Sequence, residues 1–290
     1  MEKIKVTLDW FANTNHAGFL LAEKKGYFKE AGLDVKIHGD VHGDIEVGES
    51  DIIVSPQPAL LKAMKQGEKI VAIATLTQSS DSGIVSLKES GITSPKKLEG
   101  KRLTHWSPAW FHGILSKALV TDGGDYDKVV KVPMDVANIV ETLGKDADAT
   151  WVYENWENYV LLEEGKEINF FNFADVDPLW NFCAPAVAAS CNMIENRKNV
   201  LIAFMKAVAR GYEKAAANPE NTIREIKDLL PEASEKMLVN SLKHLSGKFL
   251  TEDGKWGYID PNRWNPFANW MVKEGYLDCR RDVEFTNEFN

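Results

Sequence analysis

The sequence predicts an α/β protein of two lobes with a helical C-terminal tail. Three observations carry that reading. Strand-like and helix-like segments alternate from residue 3 to residue 76, a pattern that builds a mostly parallel sheet with helices on its faces. The alternation restarts at GIVSL (83–87) and runs to INFFNF (168–173). One more apolar strand, APAVAAS (184–190), then precedes a strongly helical remainder. A strand that returns to the first lobe after the second is complete makes two crossovers, the layout of a hinged clamshell. The expected lobes are 1–84 with 185–290, and 85–184.

Each element has a local reason. KIKVTL (3–8) alternates polar and apolar residues with the period of a strand, and Phe19, Leu20, Leu21, Tyr27 and Phe28 form a helical stripe over 15–31, punctuated by Gly26 and Gly32. LDVKIH (33–38) and DIIVS (51–55) are strands, PALLKAMKQG (58–67) is a helix closed by glycine, and KIVAIATL (69–76) is a strand. In the second set, SPKKLEG is a short helix before a strand at 101–105, and a helix follows at about 109–121. YDKVVKVPM leads into a strand, 136–144 is a helix, DATWVY (148–153) a strand and ENWENYVLLEEG a helix. The tail reads as helices at 194–217, 219–230, 231–245 and 261–275.

Composition narrows the function. A chain of 290 residues buries a large core. Its net charge of −9 argues against nucleic acid, whose binders carry a basic stripe. No stretch approaches the roughly 20 apolar residues of a membrane helix. Cys183, Cys191 and Cys279 have neither metal-finger nor redox spacing; one disulfide could form among them, but three free thiols are the better reading. The chain begins on a strand and not on a basic, apolar leader, which fits a cytoplasmic protein or one whose leader is absent from this sequence.

Ligands of open parallel sheets sit beyond the carboxyl ends of strands, and unusual side chains collect there. The first strand ends in Asp9 and Trp10, with Asn13 and His16 close behind. The strand at 51–55 ends in Ser55-Pro56-Gln57. The strand at 101–105 runs into Trp106 and Ser107, and that at 148–153 ends in Tyr153 and Glu154, followed by Trp156. Aromatics, amides, hydroxyls and a carboxylate at one edge of both lobes suit a cleft that sandwiches a flat, polar heterocycle. Each residue also has an ordinary reading: Asn13 or Asn15 as a helix cap, Trp106 and Trp151 as core, Glu154 as a charge favoured at a helix start. The clustering favours the joint reading. HGDVHGD (38–44) could offer His38, Asp40, His42 and Asp44 to a metal, but a glycine-rich polar loop is the better reading, and no metal is expected. No nucleophile elbow, Walker or dinucleotide glycine motif appears. Trp264, Phe267 and Trp270 follow helical spacing and read as packing.

LDWFANTNHAGFLLAEKKGYFKEAGLDV (8–35) resembles the signature LDW-x-x-N-x-x-H and A-x-x-K-G-Y-F-x-E-x-G-L-D-V of a family of solute-binding proteins and thiamine-pyrimidine synthases. GIVSLKESGITSPKKLEGKRL (83–103), DATWVYENWENYVLLEEG (148–165) and FTNEF (285–289) resemble the same family in order along the chain. The resemblance implies a type 2 periplasmic-binding-protein-like clamshell. It also implies one of two activities: the binding component of an ABC importer for thiamine or an aminopyrimidine precursor, or a pyridoxal-phosphate-dependent synthase that consumes its own histidine. The synthase kind carries a lysine and a histidine four residues apart just after the strand matching 51–55; here those places hold Ser55 and Ala59, and Lys62 is the nearest lysine. A cysteine-rich cluster of the synthases is also missing. The departure favours a binding protein, not an enzyme, without cofactor. It would be a monomer outside the cytoplasmic membrane, with a membrane permease as partner. A binder of another heterocycle such as riboflavin, and the ligand-sensing domain of a regulator, are the further alternatives.

Overall fold

The structure, a computed structural model, describes residues 1–39, 48, 50–105, 109–134 and 138–290, with His105 described by its backbone alone. The chain forms two compact units, Met1–Ser79 with Phe182–Asn290, and Ser80–Asn181. Ten strands are described: β1 Glu2–Leu8, β2 Leu33–Gly39, β3 Ile52–Ser55, β4 Ile70–Thr75, β5 Ser82–Leu87, β6 Arg102–His105, β7 Val130–Pro133, β8 Ala149–Tyr153, β9 Ile168–Asn172 and β10 Ala186–Ser190.

The first unit is built on a sheet of order β2-β1-β3-β10-β4. β1 pairs in parallel with β2 and β3, whereas β10 runs antiparallel to β3 and β4. β1 buries Ile4, Val6 and Leu8 and turns Lys5 and Thr7 outward, as a period of two requires. Ala186, Val187, Ala188 and Ala189 of β10 have no accessible surface. The second unit has the order β7-β6-β8-β5-β9, with β6 parallel to β7 and β8 and with β5 antiparallel to β8 and β9. Trp151 of β8 lies 4.4 Å from both Phe111 and Phe173 and meets Trp110 edge-on, so it is a core residue.

The expected sheets were mostly parallel, and each contains one antiparallel strand. Both exceptions, β5 and β10, are the first strand laid down after the chain changes unit. The chain leaves a sheet at the carboxyl end of a parallel strand, β4 or β9, and enters the other sheet at that sheet's carboxyl edge, so the entering strand must run backwards. Arg263, on the helix Pro261–Lys273, ties both connecting segments to the first unit: its Nη1 donates to the Thr77 carbonyl at 2.6 Å and its Nη2 to the Phe182 carbonyl at 2.9 Å.

The helical stripe expected over 15–31 is three pieces. A 3₁₀ turn at Thr14–His16 leads into the helix Ala17–Lys24, and Gly26, at φ 75°, breaks the chain before a last turn at Tyr27–Glu30. Only glycine takes that φ without strain. The helix expected at 136–144 is described as Ile139–Thr142, and 135–137 lie outside the described residues. In the tail, helices at Cys191–Asn196, Lys198–Ala217, Pro219–Ile226, Glu235–Ser246 and Pro261–Lys273 follow the expected order. Trp264 and Phe267 are fully buried and Trp270 nearly so, as packing residues. The last residues cover the free edge of β4: the Ala72 N–H donates to the Glu284 carbonyl and the Thr286 N–H to the Ala72 carbonyl. Glu284 is buried and held by Trp264 Nε1 at 3.0 Å and by two nitrogens of Arg280 at 2.6 Å. The three cysteines are free thiols. Among the described residues no helix is long and apolar enough to cross a membrane.

Candidate functional site

At the carboxyl edge of the first sheet, the chain bends through 9–12 after β1 and turns at once into the 3₁₀ turn. Asn13 is the cap. Its Oδ1 accepts the Asn15 N–H at 2.9 Å, and the Asn13 N–H donates to His16 Nδ1 at 3.2 Å, a reciprocal capping box. Because Nδ1 accepts, the ring proton is assigned to Nε2, which donates to Asp9 Oδ1 at 3.0 Å. His16 is fully buried, and the Asp9 side chain is 17% exposed. Trp10 is half-buried and packs edge-on against Phe11 at 5.5 Å. Asp9, Trp10, Asn13 and His16 therefore form one turn, with Asp9 and Trp10 on its accessible side and Asn13 and His16 beneath.

The rest of the unit holds this turn in place. Tyr212 donates its hydroxyl to the Asn15 carbonyl at 2.7 Å, and Thr14 and Ser241 share a hydroxyl contact of 2.6 Å. Burial drives the Tyr212 phenol well above its usual range, and the charge of Asp9 adds to the rise. Gly39, at the end of β2, is a supporting residue that the sequence reading passed over. A Cβ there would lie 2.8 Å from the Trp10 carbonyl oxygen. The available signal was a glycine closing a strand that ends beside this turn.

The segment after β3 is placed differently. Ser55 is buried and Pro56 half-buried. Gln57 has no accessible surface: its Nε2 donates to the Trp264 carbonyl at 2.9 Å, its Oε1 accepts the Cys183 N–H at 3.1 Å, and its own N–H donates to the Cys183 carbonyl at 2.8 Å. These bonds give Gln57 a framework role, joining the helix Gln57–Lys65 to the chain around Cys183 and to the Pro261–Lys273 helix.

At the carboxyl edge of the second sheet, Tyr153 closes β8, and Glu154 and Trp156 lie in the turn that follows it. The Glu154 N–H donates to the Asp81 carbonyl at 3.0 Å, and the Trp156 N–H to the Tyr153 carbonyl at 3.2 Å. Tyr153, Glu154 and Trp156 are all half-buried. Trp106 and Ser107 lie outside the described residues, as do Asp40, His42 and Asp44 of the histidine–aspartate segment.

A second carboxyl group was missed. Glu157 opens the helix Glu157–Glu163, and burial pushes it up to about 7, against the Glu157 and Tyr153 backbone groups that pull it down. The side chain as a whole is half-buried, so the enclosure belongs to the carboxyl end. A folded pKa above the unfolded 4.5 means that Glu157 supports the fold at low pH. That support is lost as pH rises through 5 towards 7 and beyond. Thermal melts between pH 5 and 8 should therefore show the parent losing stability relative to Glu157→Gln, which does not titrate there. Melting temperatures that stay parallel across that window would contradict burial as the cause.

Two turns, one per sheet, thus each carry a carboxylate beside aromatic rings. Each turn can offer a ring face to a flat group and accept hydrogen bonds from N–H donors.

The model of the NMT1/THI5-like family matches residues 13–222. The chain is 26% identical over 288 residues to a formylaminopyrimidine-binding protein of Halalkalibacterium halodurans, covering 96% of this chain and 87% of that protein. It is 26% identical over 314 residues to a 4-amino-5-hydroxymethyl-2-methylpyrimidine phosphate synthase of Uromyces fabae, covering 99% of this chain and 87% of the synthase. Among solved structures, an alkanesulfonate-binding protein from Xanthomonas axonopodis pv. citri superposes with a TM-score of 0.73 at 12% identity, over 98% of this chain and 96% of that one. The fold is that of the periplasmic binding proteins.

Proposed function

The chain belongs to the NMT1/THI5-like family, and from that premise we propose that it is the solute-binding component of an importer for an aminopyrimidine precursor of thiamine or for thiamine itself. It acts without catalysis, outside the cytoplasmic membrane, as a monomer that hands its ligand to a membrane permease. Asp9 and Trp10 of the first unit and Tyr153, Glu154 and Trp156 of the second carry recognition, and Trp106 and Ser107 contribute from the end of β6.

The observation that carries the reading is the pairing of carboxylate and aromatic ring on the turn after β1 and again on the turn after β8. An aminopyrimidine offers a flat face to the rings and an amino group to the carboxylates. The name of the Halalkalibacterium relative supports the ligand class.

The name of the Uromyces relative supports the rival reading, a synthase. The end of β3 does not fit pyridoxal phosphate: a Schiff base needs an amine, and the position matching the synthase lysine carries the hydroxyl of Ser55, itself buried. Calorimetric titration with 4-amino-5-hydroxymethyl-2-methylpyrimidine, beside incubation of the protein with pyridoxal phosphate and mass analysis for newly formed pyrimidine, tests the proposal. Saturable binding and no pyrimidine formed are expected, and pyrimidine made from pyridoxal phosphate would overturn it.

A further inference from the structure

We infer that His16 is a positioning residue that presents one oxygen of Asp9 to an N–H donor of the ligand. The inference rests on the proposed binding of an aminopyrimidine and assigns the chemistry of the first turn within it.

The geometry divides the carboxylate in two. Oδ1 of Asp9 accepts from Nε2 of a fully buried imidazole at 3.0 Å. Among the described residues this is the one side-chain hydrogen bond Asp9 makes, so Oδ2 keeps its acceptor capacity. The carboxylate has access to solvent, and the imidazole has none.

His16 itself has no freedom to turn away. Its Nδ1 is held by the Asn13 N–H, and its backbone N–H donates to the Asn13 carbonyl at 3.0 Å. Ring flipping would aim a carbon at Asp9 and break the cap. The histidine thus reads the backbone of the turn with one nitrogen and orients the carboxylate with the other. A donor group on the ligand, an exocyclic amine or a protonated ring nitrogen, meets an anionic acceptor whose direction is preset, which lowers the ordering cost of binding. A ligand with only acceptors finds no partner at Oδ2.

Two conservative variants separate this role from a structural one. Asparagine places its Oδ1 where the histidine has Nδ1, so His16→Asn keeps the cap and deletes the donor to Asp9. Glutamine reaches as far as Nε2, so His16→Gln restores that donor. The pyrimidine named above is titrated into the parent, both variants, Asp9→Asn and the double variant Asp9→Asn/His16→Asn, with circular dichroism melts as the folding control. His16→Asn should bind roughly tenfold more weakly, the scale of a hydrogen bond to a charged group. His16→Gln should recover most of the loss. In the Asp9→Asn background, His16→Asn should cost nothing further.

An equal loss from His16→Asn in both backgrounds would overturn the inference while leaving the binding function in place. A parent that does not bind the pyrimidine would sink the functional reading first. The assignment has a ligand-free check as well: ¹⁵N resonances of the His16 ring must report the proton on Nε2, and a proton on Nδ1 would refute the inference whatever binds.

Discussion

Gly211→Ala is expected to destabilise the protein by about 2–4 kcal/mol, the net of an overpacked contact and a better helix former. The helices Ala17–Lys24 and Lys198–Ala217 cross through two glycines. A Cβ on Gly211 would lie 2.0 Å from the carbonyl oxygen of Gly18 and 2.8 Å from its carbonyl carbon. Those are backbone atoms, so no rotamer relieves the clash, and the helices must part. Parting them unseats Tyr212, which stacks on Trp256 at 4.5 Å and donates to the Asn15 carbonyl. Alanine gains about 1 kcal/mol of helix propensity over glycine, too little to offset the clash. Gly247→Ala is the control, because nothing lies within 4 Å of its Cβ and its φ is −73°. Thermal unfolding should show a drop of several degrees for Gly211→Ala and none for Gly247→Ala. Equal melting temperatures would show that the crossing is looser than the structure describes.

Trp10→Ala and Glu154→Gln should each weaken binding of an amino-bearing pyrimidine by at least about tenfold, or roughly 1.4 kcal/mol. Trp10 is half-buried beside Asp9, so its loss removes ring contact without opening the core. Glu154→Gln keeps the shape of the turn, whose backbone bond to Asp81 is independent of the side chain. It removes the charge that strengthens a hydrogen bond from an amine or a protonated ring, a contribution of about 1.5–3 kcal/mol. Burial raises the Tyr159 phenol, with help from the charges of Glu154 and Asp81. Both variants should melt as the parent does. Parental affinity in both would move the site away from these turns, and unfolding of Trp10→Ala would make that residue core.

The order of elements was legible because it rests on local periodicity. The apolar alternation of β1 and the buried runs of β3 and β10 stand in the structure where the pattern put them. Strand direction was not legible, because β5 and β10 read as ordinary strands and their reversal follows from where the chain changes unit. At the candidate site, residue type drew attention to the two turns but did not show which of their side chains hold the chain itself. Asn13, His16 and Gln57 carry polar groups suited to a ligand, yet their hydrogen bonds hold the chain itself. That distinction depends on partners as distant as Trp264, 207 positions along the chain from Gln57. Glu157 was passed over because nothing local separates it from the solvated acids around it. Only the enclosure of its carboxyl does so. Gly18 and Gly211 escaped notice for the same reason, since a helix crossing leaves no mark on either helix alone.

The central claim is reversible binding without chemistry, and calorimetric titration of the unmodified chain with 4-amino-5-hydroxymethyl-2-methylpyrimidine tests it most directly. The account predicts a single saturable site of one ligand per chain, and no pyrimidine formed when the protein is given pyridoxal phosphate. No heat of binding with this pyrimidine, its formylated form or thiamine, or pyrimidine formed from pyridoxal phosphate, would contradict it.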